Sequence, residues 1–340
     1  MSDKLSDDEA AGAPVKPTLK TIAELSGLAV PTVSRALNDA PDIGVRTKKL
    51  VREIADRIGY VPNRAGLRLR TGRTQVISLV ISTEHEIMNH TARMISSIAG
   101  GLRGSQFHLN VTPYFPDEDP MKPVRYIVAN RLADAVILNQ TQPEDPRVAY
   151  LLEQGFPFAT HGRTVWCDRH AYFDFDNEAY GRLAAERLIA RGRRHITLLA
   201  PPLDQAYAQH MIAGATAAAE EVGAQLTVIE EASTNSPHEQ IIDVITAHVR
   251  ANRDTDGIVS SSASGAMAAV AALEAEGLRL GEDMDVCGKE SLPILTLFRP
   301  QMIAIEEKVW EAGDFLARAA MQAILHPAKP PLQGLDIPTR

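Results

Sequence analysis

The run TLKTIAELSGLAVPTVSRALN, residues 18–38, reads as two short helices folded around a glycine. Leu19, Ile22, Ala23 and Leu25 share one face of the first helix, and Thr18 stands where a side-chain oxygen caps the free N–H groups. Gly27 permits a tight turn. Val30–Leu37 then forms a second helix, with Pro31 tolerated in the first turn because N–H groups there have no intrahelical acceptor. Val33, Ala36 and Leu37 face inward. That leaves Val30, Pro31, Thr32, Ser34, Arg35 and Asn38 on or near the outer face. A helix, glycine turn and helix bearing an exposed arginine has the chemistry of a DNA major-groove reader. The guanidinium matches guanine O6 and N7, and the short hydroxyls match phosphates.

Working outward, a third helix is expected from Val45 to Ile58, with Leu50, Ile54 and Ile58 inside. After Gly59 the chain reads YVPNRAGLRLRTGRT, where a short basic helix begins after Pro62. Net charge supports the same division. The whole chain of 340 residues carries −8, which taken alone argues against nucleic acid. Resolved by segment, residues 17–74 hold eleven basic and five acidic groups, a net of +6, against −2 for residues 1–16 and −12 for the remainder. A basic module therefore precedes an acidic body, a charge asymmetry that points to nucleic-acid contact.

Residues 75–340 alternate short aliphatic runs with helical periodicity. The runs begin at Val76, Phe107, Ala133, Phe156, Ala171, His195, Gln225, Asp256, Met284 and Met302. Strand–helix alternation of this kind gives parallel sheets with crossover helices. Ten strands are many for one open sheet, so the expected fold is α/β with two doubly wound lobes. Ligands of such sheets bind at the carboxyl ends of strands, here in the cleft between lobes. The two cysteines, Cys167 and Cys287, provide neither a disulfide framework nor zinc spacing. The acidic start of the chain is not a signal peptide, and no apolar run spans a membrane, so a cytoplasmic location is expected.

Taken together, TIAELSG…VPTVSRALND and VRTKKLVREIADRIGYVPNRAGLRLRTGRT resemble the lactose/galactose-repressor (LacI/GalR) family of bacterial regulators. The resemblance covers nearly the whole chain. It implies an acidic disordered tail (1–16), a helix-turn-helix domain (17–61), a hinge helix and linker (62–74), and a two-lobed body of periplasmic-binding-protein type (75–340). Within the body it implies lobe 1 at about 75–172 and 303–330, and lobe 2 at about 173–302 and 331–340, with crossovers near 172, 302 and 330. By the same resemblance Val30 and Pro31 set operator specificity and Arg35 reads a guanine. Thr18, Leu19, Thr32, Ser34, Asn38, Tyr60 and Asn63 contact or approach the backbone. Leu69 matches the hinge leucine that wedges into the minor groove. Two departures stand out. Ala29 replaces a frequent capping Ser or Thr, and Gly66 replaces a frequent Ala, which weakens the hinge helix by ~1 kcal/mol.

The resemblance places a small effector between the lobes, against Glu84, His85, Asn139, His161, Arg163, Asp176, Met211, Ser262, Lys289, Glu290 and Glu307. Met211 stands where the family commonly has an arginine, and its loss tilts the site away from anions. HGR, FDFDNEAY and DGIVS are most similar to the subgroup of repressors controlling α-glucoside use, so a sugar, disaccharide or sugar derivative is the expected effector. The expected partners are palindromic operator DNA and a second copy of the chain, since the carboxyl-terminal run lacks the heptads of a tetramerising coiled coil. No cofactor and no metal is expected. Three other readings remain: a corepressor-dependent regulator sensing a non-sugar metabolite, a solute receptor, and an enzyme built on His161, Cys167, Asp168 and His195. No phosphate-binding loop or nucleophile elbow supports the enzyme.

Overall fold

The computed structural model describes residues 16–61, 66, 68, 71–83 and 90–338. It divides into two compact units, Met1–Thr74 and Gln75–Arg340.

In the first unit, α1 (Leu19–Ser26), α2 (Val30–Leu37) and α3 (Val45–Arg57) enclose a small core of Ile22, Val33, Ala36, Val51 and Ile54. Thr18 caps α1 through a reciprocal pair of bonds with Thr21, and Gly27 ends it at φ +70°. Ala29 caps α2 with no side-chain bond, so the missing Ser or Thr leaves this helix start without a side-chain acceptor. Two expected core positions turn outward. Leu25 and Leu50 are both exposed, and Val51 occupies the inward position beside Ile54.

The body holds two parallel sheets. The first has six strands: β1 (Val76–Ser82), β2 (His108–Tyr114), β3 (Ala135–Leu138), β4 (Phe158–His161), β5 (Ala171–Phe175) and β11 (Gln333–Asp336). Their order is β11-β5-β4-β3-β1-β2. Helices α4 (His90–Gly101) and α12 (Val309–Leu325) cover one face, and α5 (Met121–Ala129) and α6 (Pro146–Glu153) cover the other. Alternation along the strands separates these layers: Ile77, Leu79 and Ile81 meet the first pair, and Val80 the second.

The second sheet has five strands: β6 (His195–Leu199), β7 (Gln225–Val228), β8 (Gly257–Ser260), β9 (Asp285–Glu290) and β10 (Ile303–Glu306). Their order is β10-β9-β8-β6-β7. Helices α7 (Asn177–Ala190) and α8 (Ala206–Glu221) lie on one face, and α9 (His238–Ala251) and α10 (Ala263–Ala275) on the other, with α11 (Leu295–Phe298) beside them. The α7–α8 crossing is set by glycines. A Cβ on Gly214 would stand 1.9 Å from the Glu178 carbonyl oxygen, and one on Gly181 would stand 2.1 Å from that of Met211.

The sheets correct the expected lobe boundaries. Ile303–Glu306 pairs with β9 and belongs to the second lobe, whereas Gln333–Asp336 pairs with β5 and belongs to the first. β5 also continues in the first sheet to Phe175, beyond the expected boundary at 172. Among the described residues of the body the chain passes between lobes after Phe175 and again between Glu306 and Val309. There is no crossing near 330, because α12 and β11 both serve the first lobe. Asp336 ties the two passages together. Its carbonyl accepts from the Asp176 N–H at 2.8 Å, and its carboxylate accepts from the Lys308 N–H at 3.1 Å.

Candidate functional site

In the head, α2 presents Val30, Pro31, Arg35 and Asn38 to solvent, with Thr32 and Ser34 half-buried beside them. Leu19 and Tyr60 pack partly against the core, while Thr18 is exposed and committed to its cap. The Arg35 guanidinium pairs with Asp42 at 2.5 Å, both side chains about half exposed. Arg52 and Lys48 pair with Asp39 at 2.5 and 3.8 Å. Asn63 and Leu69 lie outside the described residues.

The carboxyl ends of both sheets converge on one cavity, about 1040 Å³ of empty space counted out to its solvent mouth. From the first lobe come Ser82 after β1, Asn139 and Gln140 after β3, His161 and Gly162 after β4, and Phe175 after β5. From the second come Ser261 and Ser262 after β8, Glu290 and Ser291 after β9, and Glu307 after β10. This is where open parallel sheets hold ligands.

The loop after β3 is fixed by a buried ion pair. Arg147 meets Asp145 at 2.6 Å and donates to the carbonyls of Asn139 and Gln140 at 3.2 and 2.9 Å. Gly162 adopts φ +118°, and a Cβ there would stand 2.4 Å from the Thr141 hydroxyl oxygen, so glycine keeps this wall closed. Across the cleft the Ala206 N–H donates to the Thr141 carbonyl at 2.8 Å, and the Gln142 amide donates to Asp204 at 2.6 Å. These two bonds join the lobes on the side away from the chain passages.

Within the cavity Lys289 and Glu307 balance each other, while the Glu290 carboxylate has no ion pair among the described residues. Lys289 Nζ stands 3.0 Å from one Glu307 oxygen, 3.2 Å from Asn177 Oδ1, and 4.8 Å above the Phe175 ring. His90 Nε2 lies 3.3 Å from the other Glu307 oxygen, and His161 Nε2 lies 3.9 Å from that same atom. Burial alone would raise the Glu307 carboxyl, but Lys289 and His90 outweigh it and hold it well below the usual carboxylate range. Burial, helped by the neighbouring His90, pushes His161 down to about 3, so its imidazole is neutral. Two buried polar atoms on the wall, Asn139 Oδ1 and His161 Nε2, have no hydrogen-bond partner among the described residues.

The expected effector residues divide into those the cavity gathers and those it does not. Asn139, His161, Ser262, Lys289, Glu290 and Glu307 line it. Ser262 also caps α10, and Glu290 accepts from the Leu295 N–H at 2.8 Å, so both are partly engaged. Three expectations are corrected. Met211 is fully buried in the core between α7, α8 and the second sheet, because α8 turns that side chain away from the cleft. Arg163 does not line the cavity; it is held by Asp174 at 2.7 Å, with Asp176 at 3.9 Å. Asp176 caps α7 and is not among the residues lining the cavity. Glu84 and His85 lie outside the described residues. Sequence reading passed over His90, Thr91, Asp174, Asn177, Tyr207, Thr234 and Asn235. Asn177 sat within the FDFDNEAY stretch already singled out, and His90 and Thr91 follow β1 within a few residues, so both were within reach. The proposed nucleophile–base set does not assemble: His195 starts β6, at the opposite end of its sheet from the cavity, and pairs with Asp254 at 3.1 Å.

Comparison with known proteins agrees with this architecture. A model for bacterial regulatory proteins of the lacI family matches residues 18–63, and one for a periplasmic binding protein domain matches residues 125–294, half of the chain. The HTH-type transcriptional regulator AglR of Rhizobium meliloti (strain 1021) is 28% identical, the match covering 93% of this chain and 90% of that protein. Among solved structures, a transcriptional regulator CelR–cellobiose complex superposes with TM-score 0.70 at 24% identity over 95% of this chain and 98% of that one. A Lac repressor dimer bound to operator and an anti-inducer superposes with TM-score 0.81 at 20% identity, covering 95% and 97%. With the capped helix-turn-helix at its start and two parallel-sheet lobes closing on one cavity, the chain joins a DNA-binding domain of the lacI family of bacterial regulatory proteins to a body of the periplasmic binding protein family.

Proposed function

We propose that this regulator is a cytoplasmic homodimer that represses carbohydrate-utilisation genes and leaves a palindromic operator when a neutral, hydroxyl-rich sugar fills the cavity. The carrying observation is that the cavity's one lining ammonium, among the described residues, is already neutralised while polar acceptors stand on its wall. Lys289 is neutralised by Glu307 and the lining Asp174 by Arg163, while Asn139 Oδ1 has no hydrogen-bond partner among the described residues. A buried polar atom without a partner costs ~1–3 kcal/mol, and ligand hydroxyls relieve that cost without bringing an unmatched charge. Tyr207, half-buried on the wall, adds ring surface for a pyranose face. A disaccharide would be in keeping with the cellobiose held by CelR. The scattering of the enzyme candidates, and relatives that are transcriptional regulators, favour a non-catalytic role.

The ligand acts by binding more tightly to the conformation in which paired heads and hinges cannot seat on DNA. Duplexes selected from a randomised pool supply the operator, and fluorescence anisotropy reads its affinity with and without α- and β-linked glucose disaccharides. Weakened operator binding with one of them is expected. Tighter binding would reverse the sign to corepression. No response to any sugar, with operator binding intact, would overturn the sugar reading.

A further inference from the structure

We propose that His90, His161 and Glu307 form a binding site for a divalent transition-metal ion of the zinc class at the base of the cavity. Their ligand atoms all lie within 4.8 Å of one another. Both imidazoles face one atom, Glu307 Oε1, with His90 Nε2 at 3.3 Å and His161 Nε2 at 3.9 Å. Ligands about 2.0–2.1 Å from a tetrahedral zinc stand roughly 3.4 Å apart, so the three groups close on an ion with small side-chain shifts. Two imidazoles and one carboxylate are a common donor set for zinc and its neighbours, whereas calcium and magnesium demand oxygen.

Two further observations point to a ligand. The buried His161 Nε2 has no hydrogen-bond partner among the described residues, although it is aimed at a carboxylate. The second Glu307 oxygen is held by Lys289 at 3.0 Å, which leaves Oε1 as a single, oriented donor. Sequence spacing hid the set, because its members lie after β1, at the end of β4 and after β10. Because all three residues line the cavity, a remaining coordination position would take water or a ligand oxygen from it. The ion would also join the end of β10, in the second sheet, to two first-lobe histidines, and so favour lobe closure.

This inference does not rest on the sugar reading, and its test uses metal alone. Full-length protein is titrated with Zn²⁺ against a chromophoric chelator, and separately with Co²⁺, whose visible bands report coordination geometry. One equivalent per chain, tetrahedral cobalt bands and a raised melting temperature are expected. His161→Gln and Glu307→Gln should each abolish that equivalent, His161→Gln being the milder change should Glu307→Gln unfold the body. Lys289→Met removes a cation beside the ion and should tighten zinc binding about tenfold. His195→Gln, an exposed histidine beside Asp254, should leave the equivalent intact. No stoichiometric binding, an equivalent that survives His161→Gln, or one lost with His195→Gln would each overturn the site.

Discussion

Removing the charge of Glu307 tests the electrostatic centre of the cavity directly. Glu307 and Lys289 are 6% and 11% exposed in their side chains and 3.0 Å apart. At an effective dielectric near 20, that separation corresponds to about 5.5 kcal/mol of attraction, most of it offset by desolvation of both ions. The asymmetry matters more than the net. Glu307→Gln leaves Lys289 buried without its counter-ion, and Lys289→Met does the reverse, so each should cost ~3–5 kcal/mol. The double variant leaves no orphaned charge and should cost little more than either single change, which requires a coupling of at least ~2 kcal/mol. At about 2 °C per kcal/mol for a domain of this size, each single variant should melt ~6–10 °C lower. Both tryptophans, Trp166 and Trp310, lie in the body and none in the head, so selectively excited tryptophan fluorescence reports this unit alone. The pH dependence has a definite sign. A carboxyl depressed in the folded state contributes stability above its unfolded pKa of about 4.5. That contribution is lost as pH falls through the lower folded value. The single-variant deficits should therefore be full at pH 7 and shrink only in acid. Additive losses in the double variant, or single losses under 2 °C, would refute the reasoning.

Other perturbations address the remaining parts. Arg35→Ala should weaken operator binding by ~1–3 kcal/mol and relax selection at one base of each half-site; anisotropy against variant duplexes reads both. Asp42→Asn frees Arg35 from its exposed partner and should tighten DNA binding by no more than ~1 kcal/mol, the opposite sign on the same assay. Gly214→Ala forces a Cβ into the Glu178 carbonyl and should cost ~1–3 kcal/mol of body stability, visible as a lower tryptophan melt with the head's DNA chemistry unchanged. Asp336→Ala removes the carboxylate that holds the Lys308 N–H. It should reduce the ligand's effect on operator affinity more than it reduces ligand affinity, as compared by calorimetry and anisotropy.

Local signals carried much of this architecture. Thr18, Gly27 and Pro31 mark helix ends through capping and backbone conformation, and the observed helices begin and end beside them. All ten aliphatic runs became strands, because alternate residues must serve two packed faces. The eleventh strand, QGLD at 333–336, escaped notice: it is a short edge strand whose Leu335 is largely exposed. Which sheet β10 and β11 join is a non-local fact, set by hydrogen bonds to β9 and β5, and neither run encodes it. The cavity wall was legible at several strand ends, as with Asn139, His161 and Glu307. It was illegible where helix rotation or a competing partner decided the outcome. Met211 is turned inward on a helix whose approach is set by Gly214, and Arg163 is claimed by Asp174.

The two bonds that join the lobes at Thr141–Ala206 and Gln142–Asp204 have a kinetic meaning. A ligand too large for the cavity's solvent mouth must enter through a conformation in which both are broken. At ~0.5–1.5 kcal/mol net for each bond, that open form is a minor population, roughly one molecule in six to one in 160. Entry is slowed by that fraction, and apparent affinity falls with it unless closing over the ligand restores the bonds. Once they re-form, escape meets the same barrier. The latch therefore acts as a low-pass filter on the signal: brief encounters with ligand go unrecorded, and a sustained concentration is held.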